Sequence, residues 1–378
     1  MSISQNSWVE ISRSALIHNI KQFRKIIGPK VRLMVVVKSN AYGHGLLEVS
    51  KICQKAREVD WLGVVNLEEA LALRKNQIKK SILVLSYYTL DKNQLSLAIQ
   101  KNVSLVVYQK EQFEYIDKIA GRLNKKAKVH FKIDTGTSRL GIPSKKAFQC
   151  INTLVKCKNL FLEGLFTHYA TAEEKNQDFT IKQTQEFYRL IQELEKINIR
   201  IPLKHAACSA AALVDKAYHF DMIRLGISLY GLWSLEDYQS IKVKYHLQPA
   251  LTWKTRIIQI KNISKGQTIG YGRTYQAAKN MKIAVLPVGY YEGYDRRLSN
   301  RGEVLIRGKR CPIRGRVCMN LTMVDVSRLK NVKVSDEVVL VGQQGKEVIN
   351  ADELAQKINT INYEIVTRIN PLIPRIVQ

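Results

Sequence analysis

The sequence predicts an N-terminal (β/α)8 barrel followed by a C-terminal, mostly β domain. Three observations carry this. Eight short apolar, β-branched runs recur through the first two-thirds of the 378-residue chain. Segments with helical apolar spacing separate them, at the interval of βαβ units. After about residue 242 the long helical patterns give way to alternating apolar and polar residues between Gly/Pro turns.

The eight runs, in order, are VRLMVVV, WLGVV, SILVL, VSLVV, KVHFKI, LFLEGLFT, IPLKHAA and MIRLGI. Strands buried on both faces should be continuously apolar, as several of these are. Between them NLEEALALRKN and TQEFYRLIQELEKI show helical periodicity. Eight such units favour a closed barrel over a doubly wound sheet, although short apolar runs leave the count open by one. The later runs, among them LTWKTRIIQIKNI, KIAVLPVGY, GEVLIRGKRCPI and DEVVLVGQQ, read as strands, with one helical pattern at NADELAQKIN. The expected division is therefore 1–242 for the barrel and 243–378 for the β domain. The strand-like WVEIS near the N-terminus fits either.

Sixty Lys+Arg against 32 Asp+Glu give a net charge of +28, which would attract nucleic acid or acidic membranes. The basic residues are spread along amphipathic segments such as KKAFQCINTLVKCKNL. No basic arm, RNP-like aromatic motif or helix-turn-helix signature accompanies them. A solvated basic surface is the better reading, with neither nucleic acid nor membrane as partner. The N-terminal stretch lacks a secretory pattern and no apolar run is long enough to span a bilayer, so a cytoplasmic protein is expected. The cysteines, Cys53, Cys150, Cys157, Cys208, Cys311 and Cys318, form no CxxC and no zinc spacing with histidine. Reduced thiols and no metal are expected.

In such a barrel, functional groups gather where strands end. Lys38 ends the first strand, in VVVKSNAYGHG. The fifth gives way to KIDTGTSRLG, with Asp134 and Arg139. The sixth ends in FTHYATAEE with His168, the seventh leads to Ser209 in HAACSAAAL, and the eighth to Arg224 and Gly226 in IRLGISLYG. Each alone is weak. Taken singly, Lys38 is more often a solvated strand-end residue, His168 more often a satisfied core or rim histidine and Ser209 more often a helix N-cap, while Arg224 reads also as the partner of a carboxylate. Together they serve complementary tasks. Ser209 with the amides of Gly226 and Ile227 can cradle a phosphate, and a partly desolvated lysine near other cations can form a Schiff base. These are the parts of a pyridoxal 5'-phosphate (PLP) site.

VVVKSNAYGHG, KIDTGTSRLG, IRLGISLYG, IGYGRTY, PVGYYEGYDRRLSN and VCMN, in this order, resemble the PLP-dependent alanine racemases, and the resemblance runs from WVEISRSALIHNI to PRIV. It implies a fold-type III enzyme, a barrel plus a β domain, acting as a head-to-tail homodimer on a small amino acid. Lys38 matches the lysine that holds PLP covalently. Tyr271, in IGYGRTY, matches a second base supplied by the partner subunit; on periodicity alone it would be a packed hairpin aromatic. Tyr42, Ser209, Gly226 and Ile227 match phosphate-binding positions. Arg224 matches the residue facing the pyridine nitrogen, and His168 the one linking it toward Tyr271. Arg139 and the backbone of Met319 match contacts to the substrate carboxylate, and Tyr290 a residue at the entrance. Lys132 matches a lysine that is carbamylated in relatives. His44 is left as a supporting loop residue.

Three positions depart from the family pattern. Cys208 stands where Asn is expected, Asn320 where many relatives have Asp, and Asn370 or Pro371 where many have an inner-gate tyrosine. A pocket so opened or given a polar lining makes a serine or broad-specificity racemase the alternative to alanine. A fold-type III decarboxylase of basic amino acids is a further rival; it would be expected to carry an acid in place of Arg224. A PLP-binding barrel without enzymatic activity should lack the β domain.

Overall fold

The computed structural model describes residues 6–235 and 239–378. Two compact units make up the chain. One comprises Leu16–Ser39 and Val49–Gln248, the other the residues up to Ala15, Asn40–Glu48 and Pro249–Gln378.

In the first unit the strands are Arg32–Val36, Trp61–Val64, Ser81–Val84, Val103–Val107, Ala127–Asp134, Leu160–Phe166, Leu203–His205 and Met222–Leu225. All are parallel, each beside its predecessor, and the eighth pairs with the first. Between the seventh and eighth, single hydrogen bonds replace a ladder: Asp221 N–H to Lys204 O (2.9 Å) and Arg224 N–H to Ala207 O (3.0 Å). The result is a nearly closed eight-stranded barrel, with every expected strand in place. The apolar runs are continuous because both faces are covered; all five residues of VSLVV are buried. Outside, helix Asp178–Lys196 buries Phe187, Leu190, Ile191 and Leu194, the stripe that TQEFYRLIQELEKI spells out. Asn66 and Asp91 cap two of the other helices by accepting from the amides of Glu69 and Gln94.

The second unit is mostly β, as expected of the C-terminal domain. One sheet runs in the order Lys309–Pro312, Glu303–Ile306, Glu337–Gln344, Leu251–Arg256, Ser7–Ile11 and Arg375–Val377. WVEIS thus lies here, antiparallel to Leu251–Arg256 and parallel to the C-terminal strand. Trp8, Val9 and Ile11 of this strand are buried beside Trp253. A second sheet joins Gln259–Ile263, Met281–Leu286 and Thr322–Asp325. Helices Ala351–Lys357 and Asn362–Thr367 follow Asn350, whose side chain caps the first of them. No helix of the described residues is long and apolar enough to cross a membrane.

Candidate active site

Val37 ends the first strand by donating its N–H to Gly63 O (2.8 Å), and Lys38 follows it. The next four residues, Ser39, Asn40, Ala41 and Tyr42, have φ of 55, 54, 51 and 53°. They form a left-handed turn of non-glycine residues, each costing about 1–2 kcal/mol. Local bonds compensate. Glu69 Oε1 accepts the Ser39 N–H (2.7 Å) while its Oε2 accepts that of Val65 (2.9 Å), so one carboxylate ties the ends of the first two strands. Asn40 Oδ1 accepts from Leu46 N–H (2.8 Å). Backbone strain of this kind concentrates at functional sites. Lys38 itself is half-buried. Burial lowers its amine from the ordinary lysine value, Arg139 and Arg224 add to that, and Glu69 opposes it.

The other rim residues of the barrel are built by equally local means. Asp134 folds its carboxylate over KIDTGTSRLG, accepting from the amides of Gly136 (2.9 Å), Thr137 (2.8 Å), Ser138 (3.1 Å) and Arg139 (3.2 Å). That shapes the loop carrying Arg139. Lys132, two residues before the end of the fifth strand, is buried. Burial, followed by Arg224, Arg139 and Lys38, lowers it to about 8. Arg224 is buried and donates to Thr167 O (2.9 Å), Ala206 O (2.7 Å), His168 Nδ1 (3.0 Å) and His205 Nδ1 (2.9 Å). Burial brings it down to about 10, so it stays charged at neutral pH. His168 is held well below its ordinary value by burial and then by Arg224, Arg139, Lys132 and Lys38. A neutral imidazole that accepts at Nδ1 carries its proton on Nε2.

Ser209 is not the helix N-cap that its sequence context allows. Cys208 holds that position without a side-chain cap bond, and Ser209 is the first helical residue. Its Oγ accepts the N–H of Gly226 (2.9 Å), which leaves the hydroxyl proton free to donate elsewhere. Lys38, Lys132, Arg139, His168, Ser209, Arg224, Gly226 and Ile227 therefore all belong to the barrel unit.

Tyr42, Tyr271, Tyr290 and Met319 belong to the other unit. Tyr271 stands 72% exposed in a tight hairpin whose Gly270 and Gly272 take φ of 71 and 70°. Met319 and Tyr290 are also exposed. Tyr290 N–H donates to Cys318 O (3.1 Å) and Tyr291 N–H to Met319 O (2.9 Å). Asn320 donates to Glu292 Oε1 (2.8 Å), where an aspartate would set two carboxylates together. His44 is fully buried and pulled down to about 4 by burial, with Nδ1 3.0 Å from Tyr42 O. Buried and bonded to its own turn, it supports its loop.

The sequence reading missed three residues that stand behind Arg224. His205, His130 and Glu163 form a buried hydrogen-bonded row: His205 Nε2 to His130 Nδ1 is 3.0 Å and His130 Nε2 to Glu163 Oε2 is 3.3 Å. Their signal was present, as polar residues inside otherwise apolar strands (KVHFKI, LFLEGLF).

Two family models match the chain: the alanine racemase N-terminal domain over residues 11–234 and the alanine racemase C-terminal domain over residues 250–377. The alanine racemase of Methanococcus maripaludis is 41% identical over 375 residues, covering 99% of each chain. Among solved structures, an alanine racemase of Clostridium difficile 630 superposes with a TM-score of 0.93 at 34% identity, over 100% of this chain and 97% of that one. Alanine racemase from Bacillus anthracis with bound L-Ala-P gives a TM-score of 0.91 at 35% identity, over 100% and 96% of the two chains. The resemblance carried by VVVKSNAYGHG, IRLGISLYG and IGYGRTY is borne out over both domains. The chain belongs to the alanine racemase family.

Proposed function

We propose that the alanine racemase activity of this chain runs on PLP held at the barrel rim, with Lys38 and Tyr271 as its two bases. The observation that carries this is the set of positive groups around Arg224: Arg139 and Arg224 help lower Lys38, and Arg224, Arg139 and Lys38 help lower Lys132. None of the described carboxylates bonds to Arg224, whose partners are two carbonyls and two histidines. Such a rim fits an anionic cofactor and an amino-acid carboxylate.

The donor set suits PLP. Lys38, with its lowered amine, would hold the aldehyde carbon. Ser209 would donate its proton to the phosphate, alongside Ile227 and with Tyr42 from the turn after Lys38. Two residues past Gly226, the buried Ser228 Oγ has no partner among the described residues, so this segment keeps an unused hydroxyl. Arg224 only donates hydrogen bonds, so a ring nitrogen facing it must accept and stay unprotonated. This disfavours the deep electron withdrawal that transamination needs. When bound, PLP supplies the electron sink that lets the Cα proton leave.

Lys38 takes or returns that proton on one face and Tyr271 on the other. An ordinary phenol has a pKa near ~10, so Tyr271 needs positive charge nearby. Arg224, acting through the Nε2–H of His168, is the source. Arg139 and the Met319 backbone hold the substrate carboxylate, and Tyr290 stands at the entrance. The exposure of Tyr271 (72%) and Met319 (55%) supports a homodimer in which each copy completes the other's site. We assign the enzyme to the cytoplasm, supplying D-alanine for peptidoglycan.

Lys132 fits the carbamate assigned to it. With its amine near 8, about a tenth is neutral at pH 7. That amine adds to CO2 and loses a proton, and one negative charge then stands among Arg139, Arg224 and Lys38. In 13C-bicarbonate one carbamate resonance is expected that Lys132→Ala lacks; a wild-type spectrum without it removes the assignment.

Asn370 bears on the serine alternative. Its Nδ2 donates to Tyr291 O (3.1 Å) and its Oδ1 accepts Leu372 N–H (2.9 Å). Each amide atom keeps one further hydrogen bond to make, so Asn370 alone does not decide between alanine and serine. The deciding experiment is racemisation of alanine, serine, lysine and arginine of both hands by purified protein. Alanine should convert fastest, with the visible absorbance of lysine-bound PLP. Protein that binds no PLP overturns this reading, and faster conversion of serine makes the alternative correct.

A further inference from the structure

The row behind Arg224 runs in one direction only. A guanidinium has no acceptor, so Arg224 Nη1 donates to His205 Nδ1 (2.9 Å). His205 is fully buried, and burial followed by Arg224 holds it well below its ordinary value. A neutral His205 that accepts at Nδ1 has its proton on Nε2, facing His130 Nδ1 at 3.0 Å. His130, also lowered by burial, must therefore accept at Nδ1 and donate from Nε2 to Glu163 Oε2 (3.3 Å). Glu163 ends the row. It also accepts from Ser104 Oγ (2.5 Å) and pairs with Lys128 Nζ (3.4 Å), whose side chain is 43% exposed.

The barrel is deformed to hold this row. The register between the fifth and sixth strands jumps from Val129↔Leu162 to His130↔Gly164, so Glu163 is the extra residue of a β-bulge. A Cβ on Gly164 would stand 2.1 Å from His130 Nδ1, so the glycine makes room for the imidazole. His205 stacks on Phe166 with ring centroids 4.7 Å apart, and the edge of His130 meets Trp61 at 5.5 Å. Trp61 is on the second strand and His130 on the fifth. A contact between strands so far apart in the sheet crosses the barrel interior.

We infer that Glu163 is a positioning residue for Arg224, acting along Glu163–His130–His205 to fix the guanidinium that faces the cofactor's ring nitrogen. The inference rests on the PLP reading above for what Arg224 faces, but not for the row itself. Glu163 touches neither substrate nor cofactor. It fixes both tautomers, keeps His205 an acceptor, and gives a buried guanidinium that bonds to none of the described carboxylates a polarised partner.

The test begins on PLP-free protein with 15N-labelled histidine. His130 and His205 should both show the Nε2–H tautomer, neutral and unchanged from pH 6 to 8. A protonated Nδ1 on either, or a charged imidazole, overturns the inference whatever the fate of the PLP reading. In Glu163→Leu the His130 signal should broaden between tautomers, and in the PLP-loaded enzyme kcat should fall about tenfold with KM for alanine unchanged. Glu163→Gln keeps an acceptor for His130 and should restore the sharp tautomer signal and kcat to within about twofold. If Gln and Leu variants lose activity alike, or KM moves and kcat does not, Glu163 is only structural. If the Leu variant does not fold, the wild-type tautomers and the Gln variant still decide. Wild-type protein with the expected tautomers but no bound PLP would sink the cofactor reading alone.

Discussion

Replacing Lys38 by alanine is expected to remove the visible absorbance of lysine-bound PLP and lower alanine racemisation by at least about 10^4-fold. Two functions are lost together, since the same amine holds the cofactor and exchanges the proton on one face. The side chain of Lys38 sits among Arg139, Arg224 and Lys132, so removing one cation relieves repulsion and the melting temperature should hold or rise. That separates a catalytic loss from unfolding. The same surroundings set the sign of the pH dependence. Burial, and then Arg139 and Arg224, lower the Lys38 amine, so the neutral form that can act as a base persists further toward neutrality than an ordinary lysine allows. As pH falls through that lowered value the base is protonated and the rate drops. Lys38→Arg should fail as badly as alanine: it keeps the charge, yet a guanidinium stays protonated and cannot hold the aldehyde. A Lys38→Ala protein that racemises alanine within tenfold of wild type would mean that another amine does this work.

How much of this was legible in the sequence follows from where each residue sits. The barrel strands were readable because burial on both faces writes a continuous apolar run. Lys38, Arg139, His168 and Arg224 were readable because a barrel places its chemistry at strand ends. WVEIS stayed ambiguous because its partners, Leu251–Arg256 and Arg375–Val377, are more than two hundred residues away, and no local pattern encodes such pairing. Tyr271 could not have come from periodicity; an exposed tip on a glycine hairpin looks like any turn, and only IGYGRTY marked it. Ser209 looked like a cap because the true cap, Cys208, has a side chain that caps poorly. Glu163, His130 and His205 needed the register, since a bulge at Glu163 is invisible until the strands are paired. The polar residues inside KVHFKI and LFLEGLF were the available hint, because a buried charge needs a partner.

The second large effect is expected of Tyr271→Phe, and its form matters more than its size. The two enantiomers of alanine have equal free energy, so net racemisation must slow equally in both directions whichever base is removed. Single-hand exchange of the Cα hydrogen for deuterium carries no such constraint. With two bases on opposite faces, removing the phenol leaves Lys38 able to exchange the hydrogen of the enantiomer that presents it to the lysine. Exchange into the recovered opposite enantiomer should fall by about 10^2–10^4-fold, the usual worth of a positioned acid–base group. Phenylalanine keeps the ring, and Tyr271 is 72% exposed on its own chain, so stability should change by no more than about 0.5 kcal/mol. The surviving exchange is what distinguishes a base from a packing residue: a packing defect would disturb both faces. Equal slowing of exchange for the two hands would therefore remove Tyr271 as the second base, and leave Lys38, or a water it activates, to serve both sides of the substrate.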